Sequence, residues 1–584
     1  MELEDYQAEV LNPHTSTNSF LLTDFCDGTL FKSHPLFSVE HHALQIVGYY
    51  DDLEVVNPLG SYTKKHKLGC LYFFLANVRP QYRSSLKCIH LVAVGRTEDI
   101  QHYGMNLFLS PFVDDLKRLY LDGLTVAVGD SRRTLHGGLI AFLADTLAAH
   151  AVGGFKGSVS FALRVCRTCM VTPEELQHCF SASACGLRTS ESYFEQCNLL
   201  HGPLREHYST TYGVNFMSVL EEVPGYSVIN GLPHDIMHDL YEGVVPYEFK
   251  LLLRHCVGQS YFSVEELNRR IECYRFDSNE PRLLDPSVIK SNDTKIRQSA
   301  SQMMSLSQQL PLIIGDKIPL DDSHWKSFLL LLRICQISNS PVCSKDTIAY
   351  LRVLIEEKLR IFKELYPHEK LLPKHHYMIH YPDQMEQLGP LIQCWTMRQE
   401  AKLNFVKKVS RLSNYKNICK TVAKKHNFWM CYQFQKDPHL LTPSISHSPK
   451  YVSHALRTED ECIQREFLRL IPCLELESEI KHLKWLKVQS STIRERSFVL
   501  IKYDVDSPVF GKVLDILCVN LTCLLYVQVY IGELFSSHYN GFVIKTHGDF
   551  SVVNVDTLQD YRPITVRPTF VTSQYLYALM PYYY

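Results

Sequence analysis

Three acidic residues of this chain stand where local elements begin or end, so that their carboxylates can reach a common point. Asp51 follows the apolar run ALQIVGYY, Asp145 follows the apolar run GLIAFLA, and Glu400 opens the helical stretch EAKLNFVKKV. Three converging carboxylates can bind two Mg²⁺ or Mn²⁺ ions, the arrangement that cuts and joins phosphodiesters. Each acid alone is also explained by solvation at a strand end or a helix start. Asp52 and Asp130 are the alternative candidates for acids of this set.

A second group of side chains has the types and spacing of zinc ligands. Cys166 and Cys169 form a Cys-x-x-Cys pair, and His376 and His380 lie one helical turn apart. Together they make a Cys₂His₂ set, which predicts one structural Zn²⁺. The two pairs are far apart in sequence, so only the fold can join them. Unrelated core cysteines and ordinary histidines remain the alternative, and His375 is a competing ligand.

The segment LPHDIMHDLYEGVVP carries a third signal. Asp235 and His238 are three residues apart on a predicted helix, and so lie near one face. This spacing suits metal ligation and a structural hydrogen-bonded pair equally.

A run of basic residues follows Glu400. Its members are Lys402, Lys407, Lys408, Arg411, Lys416, Lys420, Lys424 and Lys425. Such a run can contact DNA phosphates, although it is also typical of a solvated helix surface. We assign DNA contact to Lys407, Lys408, Arg411 and Lys416.

The elements that must position these residues form an α+β pattern. Short β-rich apolar runs predict strands, and apolar residues at three- and four-residue spacing predict one long helix among them. The order is Ala43–Tyr50, Leu68–Val78, Cys88–Val94, the helix Ile100–Leu121, Leu124–Val128 and Gly138–Leu143. This order predicts a mixed sheet covered by helices, and it is also the order of a ribonuclease-H-like core.

Changes of pattern divide the chain into six predicted segments. They are an N-terminal arm (1–40), the first part of the core (41–165), a large helical insertion (166–370), the His pair with the final acidic helix (371–435), a linker with helices (436–489) and a small antiparallel β domain (490–584). The last segment is indicated by recurring short β-rich runs such as SFVLIKYDV and CLLYVQVYI.

The composition of the chain limits the classes of function that it can have. The 584 residues suggest two to four domains, and 46% hydrophobic with 21% charged residues is ordinary for a globular protein. A net charge of −2 is not that of a generally basic nucleic-acid binder, so DNA contact would need a local basic surface. The 19 Cys form no dense framework, which indicates reduced thiols and an intracellular protein. The N-terminus lacks an apolar signal core, and no apolar run predicts a membrane span.

Taken together, the motifs resemble the transposases of CACTA-like (En/Spm, CMC-class) elements, especially the animal branch. The likeness covers about residues 30–430. It is carried in order by Asp51 with NPLG, Asp145 before TLAAHAVGGFK, then CRTC, LPHDIMHDLYEGVVP, HHYMIHYP and MRQEAKLNFVK.

The resemblance implies a ribonuclease-H-like fold with a DDE triad at Asp51, Asp145 and Glu400, interrupted by a helical insertion. It implies metal-dependent DNA strand cleavage and transfer at transposon ends, with terminal-repeat DNA as the partner. It also implies a nuclear location and is compatible with a homo-oligomer. Gln399 and Leu403 stand where the family pattern has Phe and His. A catalytically inactive, transposon-derived DNA- or protein-binding protein is the alternative, and an unrelated zinc-stabilised helical scaffold is a third interpretation.

Overall fold

The structure is a computed structural model. It describes residues 4–13, 20–55, 67–83, 85–157, 162–274, 289, 296, 298–413, 415–436, 446–449, 451–488, 491–503, 507–519, 522–558, 560–570 and 575–582. The chain divides into two compact units. The first is Met1–Val244 with Ile337–Thr442, and the second is Val245–Gln336 with Pro443–Tyr584. Among the described residues, no helix combines the length and the apolar character needed to cross a membrane.

A four-stranded mixed sheet lies at the centre of the first unit. Its strands are β1 (Leu44–Glu54), β2 (Lys67–Leu75), β3 (His90–Arg96) and β4 (Gly137–Leu143). Their order is β3-β2-β1-β4; β1, β2 and β3 pair antiparallel, and β4 pairs parallel with β1. The mixed sheet predicted from the sequence is therefore present. The predicted strand Leu124–Val128 exists, but it pairs with Ser131–Leu135 in a separate hairpin.

Helices cover both faces of this sheet. On one face the helix Met105–Leu121 packs its buried side chains against β1 and β4, and on the other the helices Met397–Arg411 and Ile418–Lys436 do so. Because both faces are covered, β1 and β4 read as continuous apolar runs rather than alternating ones. The other helices of this unit are Glu4–Leu11, Thr29–Ser33, Pro80–Arg83, Thr97–Tyr103, Thr146–Val152, Ser190–Asn198, Arg205–Tyr212, Val228–Gly231, Lys345–Leu365, Pro373–Tyr377 and Tyr381–Leu388, with a π-helix at Met237–Val244.

The first 40 residues are more than an arm, which corrects the prediction. Leu21–Leu22 pairs with Cys343–Ser344, and Phe25 is buried in the core. The carboxylate of Asp24 forms a buried ion pair with Arg83, at 2.5 Å. Isolated residues, rather than a regular apolar pattern, attach this segment to the rest of the unit. Its sequence therefore lacks the apolar periodicity of a helix or a strand.

The segment predicted as one helical insertion, 166–370, is shared between the two units. Its middle part belongs to the second unit and contributes the helices Val245–Gly258, Val264–Cys273, Ala300–Ile314 and Ser323–Ser338.

The C-terminal part of the second unit is an antiparallel half-barrel. Its main sheet contains Tyr451–Ala455, Glu479–Leu483, Phe498–Lys502, Val509–Val519, Thr522–Ser536, Gly541–Asn554, Thr565–Pro568 and Leu576–Leu579, and a smaller sheet contains Ser446–His447, Trp485–Val488 and Ser491–Arg494. One helix, Glu461–Leu470, precedes most of these strands.

The segment 436–489, predicted as a linker with helices, contains the helix Glu461–Leu470 in its described part, but it also contains strands that the prediction lacked. Tyr451–Ala455 lies at the end of the main sheet with mostly exposed side chains, and it has no apolar run to reveal it. The runs GFVIKTH and FSVVNV form one strand rather than two. The pairing register shifts there, and Gly548 with φ +87° accommodates the irregularity.

Candidate functional site

Three different elements present the predicted acids. Asp51 lies inside β1, paired with Cys70 of β2, and not after the strand as predicted. Asp145 caps the helix Thr146–Val152, where its Oδ1 accepts a hydrogen bond from the Ala148 N–H at 2.6 Å. Glu400 stands in the first turn of the helix Met397–Arg411.

The acids are close enough for their charges to act on one another. Burial raises the pKa of Asp51 to about 7, and the charges of Asp145 and Glu400 add to that rise. The hydroxyl of Tyr49, which donates to Asp51 Oδ2 at 2.9 Å, and the His238 side chain act in the opposite direction. Asp145 and Glu400 thus lie within electrostatic range of Asp51, but the three acids are not among the metal-ligand groups of the described residues, whose donor atoms lie within 4.8 Å of one another.

Asp52 and Asp130 do not belong to this group. Asp52 follows Asp51 in the strand and so faces the other side of the sheet. Its Oδ1 accepts hydrogen bonds from the Tyr50 hydroxyl at 2.8 Å and from the Thr97 hydroxyl at 2.9 Å. Asp130 is exposed in the turn of the Leu124–Leu135 hairpin.

His238 joins Asp235 to Glu400. Its Nδ1 lies 2.6 Å from Asp235 Oδ2, and its Nε2 lies 3.0 Å from Glu400 Oε1. Burial alone would lower the pKa of His238, but hydrogen bonds and charge from the two carboxylates outweigh it and raise the pKa to about 11. His238 therefore bridges the two carboxylates, and the Asp235–His238 pair predicted from the sequence contacts the predicted final acid.

Asp235 also fixes the start of the Glu400 helix. The hydroxyl of Thr396, the residue before that helix, donates to Asp235 Oδ2, and the Thr396 N–H donates to Oδ1 at 3.3 Å. The Met237 N–H is a further donor to Oδ1, at 3.1 Å. Asp235 thus holds the start of the helix through Thr396, and it holds the carboxylate of Glu400 through His238.

His238 lies in a π-helix, Met237–Val244. A π-helical turn carries an extra residue, which changes the direction of its side chains and is common at functional sites. The Lys374 ammonium group donates to the His238 carbonyl at 2.8 Å, which fixes this turn to the segment that carries the His pair.

The four predicted zinc ligands meet in the interior. Cys166, Cys169, His376 and His380 are all buried, and their donor atoms lie within 4.8 Å of one another. The Cys169 Sγ is 3.1 Å from His376 Nε2, and the Cys166 Sγ is 3.5 Å from His380 Nε2. Two thiols and two imidazoles at these distances match the donor set of a structural zinc site.

The titration of the two thiols reflects their proximity. Burial raises the pKa of both, but the neighbouring thiol and His380 bring that of Cys166 down, while that of Cys169 rises. Two adjacent thiols that share one proton behave in this way. His375, the competing ligand, is outside the cluster: its Nδ1 accepts from the Leu372 N–H at 3.1 Å.

Sequence reasoning missed His234, the buried residue next to Asp235. Its Nε2 lies 3.0 Å from the Thr168 hydroxyl, within the Cys-x-x-Cys segment, and its ring stacks on Tyr377 with centroids 4.4 Å apart. Arg167 reinforces this contact by donating to the Leu232 carbonyl at 3.0 Å. The segment LPHDIMHD thus contacts the Cys₂His₂ cluster through His234 and the acids through Asp235 and His238.

The basic run is divided between surface and core. Lys408, Arg411, Lys416, Lys420, Lys424 and Lys425 are exposed, and Lys407 is half-buried. Lys402 is buried: its ammonium group donates to the Leu86 carbonyl at 2.7 Å and lies 4.1 Å from the centre of the Trp429 ring. Burial lowers its pKa to about 7. Lys402 therefore belongs to the core.

Gln399 and Leu403, which depart from the family pattern, are both buried. They flank Glu400, which is half-buried and contacts His238. The NPLG motif lies outside the described residues. A scan of protein-family models finds no match to this chain, and a search of curated proteins finds none either.

Proposed function

We propose that this chain is a CACTA-like DDE transposase that cleaves and transfers DNA strands with divalent metal ions. One observation carries the proposal: Asp145 and Glu400, which are far from Asp51 in sequence, lie within electrostatic range of its buried carboxylate on β1. The ordered motifs and the Cys₂His₂ cluster support the same assignment.

The sheet topology is compatible with a ribonuclease-H-like core. An antiparallel β1-β2-β3 meander with β4 parallel to β1 is the strand arrangement that such a core would need. The first acid would then lie on the central strand and the second after the parallel strand, as Asp51 and Asp145 do.

The three carboxylates supply the hard oxygen donors that Mg²⁺ or Mn²⁺ prefers. Burial is the main cause of the raised pKa of Asp51 and the charges of Asp145 and Glu400 add to it, a cost that a divalent cation would offset. Bound there, two ions would activate the attacking water or 3′-hydroxyl and stabilise the leaving oxygen.

The chain's own residues orient the third acid. His238 hydrogen-bonds one oxygen of Glu400, while Asp235 holds both His238 and the Thr396 hydroxyl. These contacts restrict the orientation of the Glu400 carboxylate, as the groups behind metal ligands commonly do.

The Cys₂His₂ cluster would hold a structural Zn²⁺ between the segments that follow Asp145 and precede Glu400. Tyr377 adds a direct link, because its hydroxyl donates to the Val165 carbonyl at 2.8 Å. The exposed basic residues of the two helices after residue 396 would contact DNA phosphates.

The test is cleavage of DNA that carries the terminal repeats flanking this chain's own coding sequence, with Mg²⁺ or Mn²⁺ added. Wild-type protein should cut, and Glu400→Gln should not. If both proteins cut at the same background rate, the enzymatic proposal fails, and the catalytically inactive binding protein becomes the better account.

A further inference from the structure

A separate set of side chains in the second unit has the composition of a metal site. His255 lies in the last turn of the helix Val245–Gly258, Asp322 precedes the helix Ser323–Ser338, and His324 lies in its first turn. One donor atom from each lies within 4.8 Å of the other two. We propose that His255, Asp322 and His324 form a second binding site for a divalent transition metal ion of the zinc class.

The carboxylate is fixed before any ion arrives. Asp322 Oδ1 accepts from the Trp325 N–H at 2.8 Å, which caps the helix. Oδ2 lies 2.8 Å from His255 Nε2 and accepts from the Tyr261 hydroxyl at 3.1 Å. With one oxygen held by the backbone, the other is directed at the His255 imidazole and the Tyr261 hydroxyl.

The two imidazole rings lie face to face. The rings of His255 and His324 stack with centroids 3.7 Å apart and planes 17° from parallel. An ion lies in the plane of each imidazole that binds it, so rings stacked in this way cannot both bind one ion until at least one of them turns. The Asp322 side chain is only 5% exposed and is held by hydrogen bonds, so the rotation falls on the partly buried imidazoles.

The donor set selects the class of ion. Two imidazole nitrogens and one carboxylate oxygen suit Zn²⁺ and its transition-metal neighbours, whereas Mg²⁺ and Ca²⁺ prefer oxygen alone. Three protein ligands leave a position for water, in contrast to the buried Cys₂His₂ cluster. The ion would join the end of one helix to the start of another, and so stabilise the folded second unit.

The test is calorimetric titration of full-length protein with Zn²⁺, after the zinc already bound has been counted by mass spectrometry. Wild-type protein should bind one further equivalent. The variants His324→Ala and Asp322→Asn should each weaken that binding by more than about tenfold, as expected when a ligand itself is changed. Asn also caps helices well, so Asp322→Asn preserves the fold even if the first variant does not.

His368→Ala is the control, because this exposed histidine belongs to none of the metal-ligand groups of the described residues. It should bind zinc like the wild type. The proposal is overturned if the wild type takes up no further equivalent, or if the further equivalent binds Asp322→Asn as tightly as the wild type. Zinc taken up at the acidic cluster would bind the wild type and Asp322→Asn alike, so the variants separate the two sites, and the outcome does not depend on DNA cleavage.

Discussion

Single residues decide whether the Cys₂His₂ cluster is a metal site. Cys166→Ser removes one of four buried ligands, so we expect loss of the bound zinc. Structural zinc contributes directly to folding, so a fall in stability of at least about 3 kcal/mol is expected. The measurements are zinc content and thermal unfolding. Cys197→Ser is the matched control: this cysteine is also buried but lies outside the metal-ligand groups of the described residues, so its zinc content should not change. Well-folded, reduced wild-type protein without zinc would refute the assignment.

His238 offers a test of how Glu400 is positioned. His238→Ala removes the link between Asp235 and Glu400, so the carboxylate should lose its fixed orientation. Changes to groups that support metal ligands commonly cost about 10–100-fold in metal affinity or activity. We expect a loss of this size in Mn²⁺ affinity, measured by electron paramagnetic resonance, with an unchanged circular dichroism spectrum. Glu242→Gln should have little effect, because Glu242 is 4.0 Å from His238 and its side chain is 42% exposed. Equal losses in both variants would mean that His238 has no special role.

The ligand residues could be predicted from sequence because their types and spacing are distinctive, as in Cys166-x-x-Cys169. The choice between Asp51 and Asp52 could not be, since neighbouring strand residues differ only in the face they occupy. Their hydroxyl partners, Tyr49 and Tyr50, become visible only in three dimensions. His234 has no sequence signal beyond its place beside Asp235.

At the scale of elements, the helices after residue 396 combine a buried side with a basic surface. Lys402 illustrates the limit of sequence reasoning here, because a lysine in a basic run is expected in solvent and this one is buried against Trp429. Strands with continuous apolar runs, such as β1 and β4, could be predicted. The strand Tyr451–Ala455 could not, because few of its side chains are buried.

The basic surface yields a prediction on DNA affinity. If Arg411 contacts a phosphate, Arg411→Ala should weaken binding on all sequences and reduce the slope of log K against log salt by about one. Lys345→Ala is the control, since Lys345 is an equally exposed cation at the start of another helix. Fluorescence anisotropy with duplex DNA at several salt concentrations measures both. An unchanged slope for Arg411→Ala would assign this residue to a solvated surface.

At the scale of the whole molecule, two units are built from interleaved segments of one chain. Within the second unit, the helices of 245–336 depend on the C-terminal segment. Leu312 packs with Tyr577 and Leu579, and the Trp325 indole donates to the His538 carbonyl at 3.2 Å. Sequence patterns place elements along a chain, but they do not show which distant segments share a core.

Ending the chain at Thr442 should therefore expose the apolar sides of those helices. We expect limited proteolysis to cut within 245–336 much faster than in the full chain, while the first unit, whose segments all remain, keeps its zinc. Mass spectrometry of the fragments measures the first effect and metal analysis the second. Equal protection of 245–336 in both chains would contradict this dependence.

The most direct test of the central claim compares two neighbouring acids in one assay. Asp51→Asn and Asp52→Asn make the same change of carboxyl to amide at adjacent positions of β1, but the charges of Asp145 and Glu400 act on Asp51, whereas Asp52 faces the other side of the sheet. On DNA with the chain's own terminal repeats and Mg²⁺ or Mn²⁺, Asp51→Asn should lose at least about 100-fold in cleavage rate, more than the loss of a supporting group costs. Asp52→Asn should cut like the wild type. Cleavage by Asp51→Asn at the wild-type rate, or an equal loss in both variants, would contradict the account.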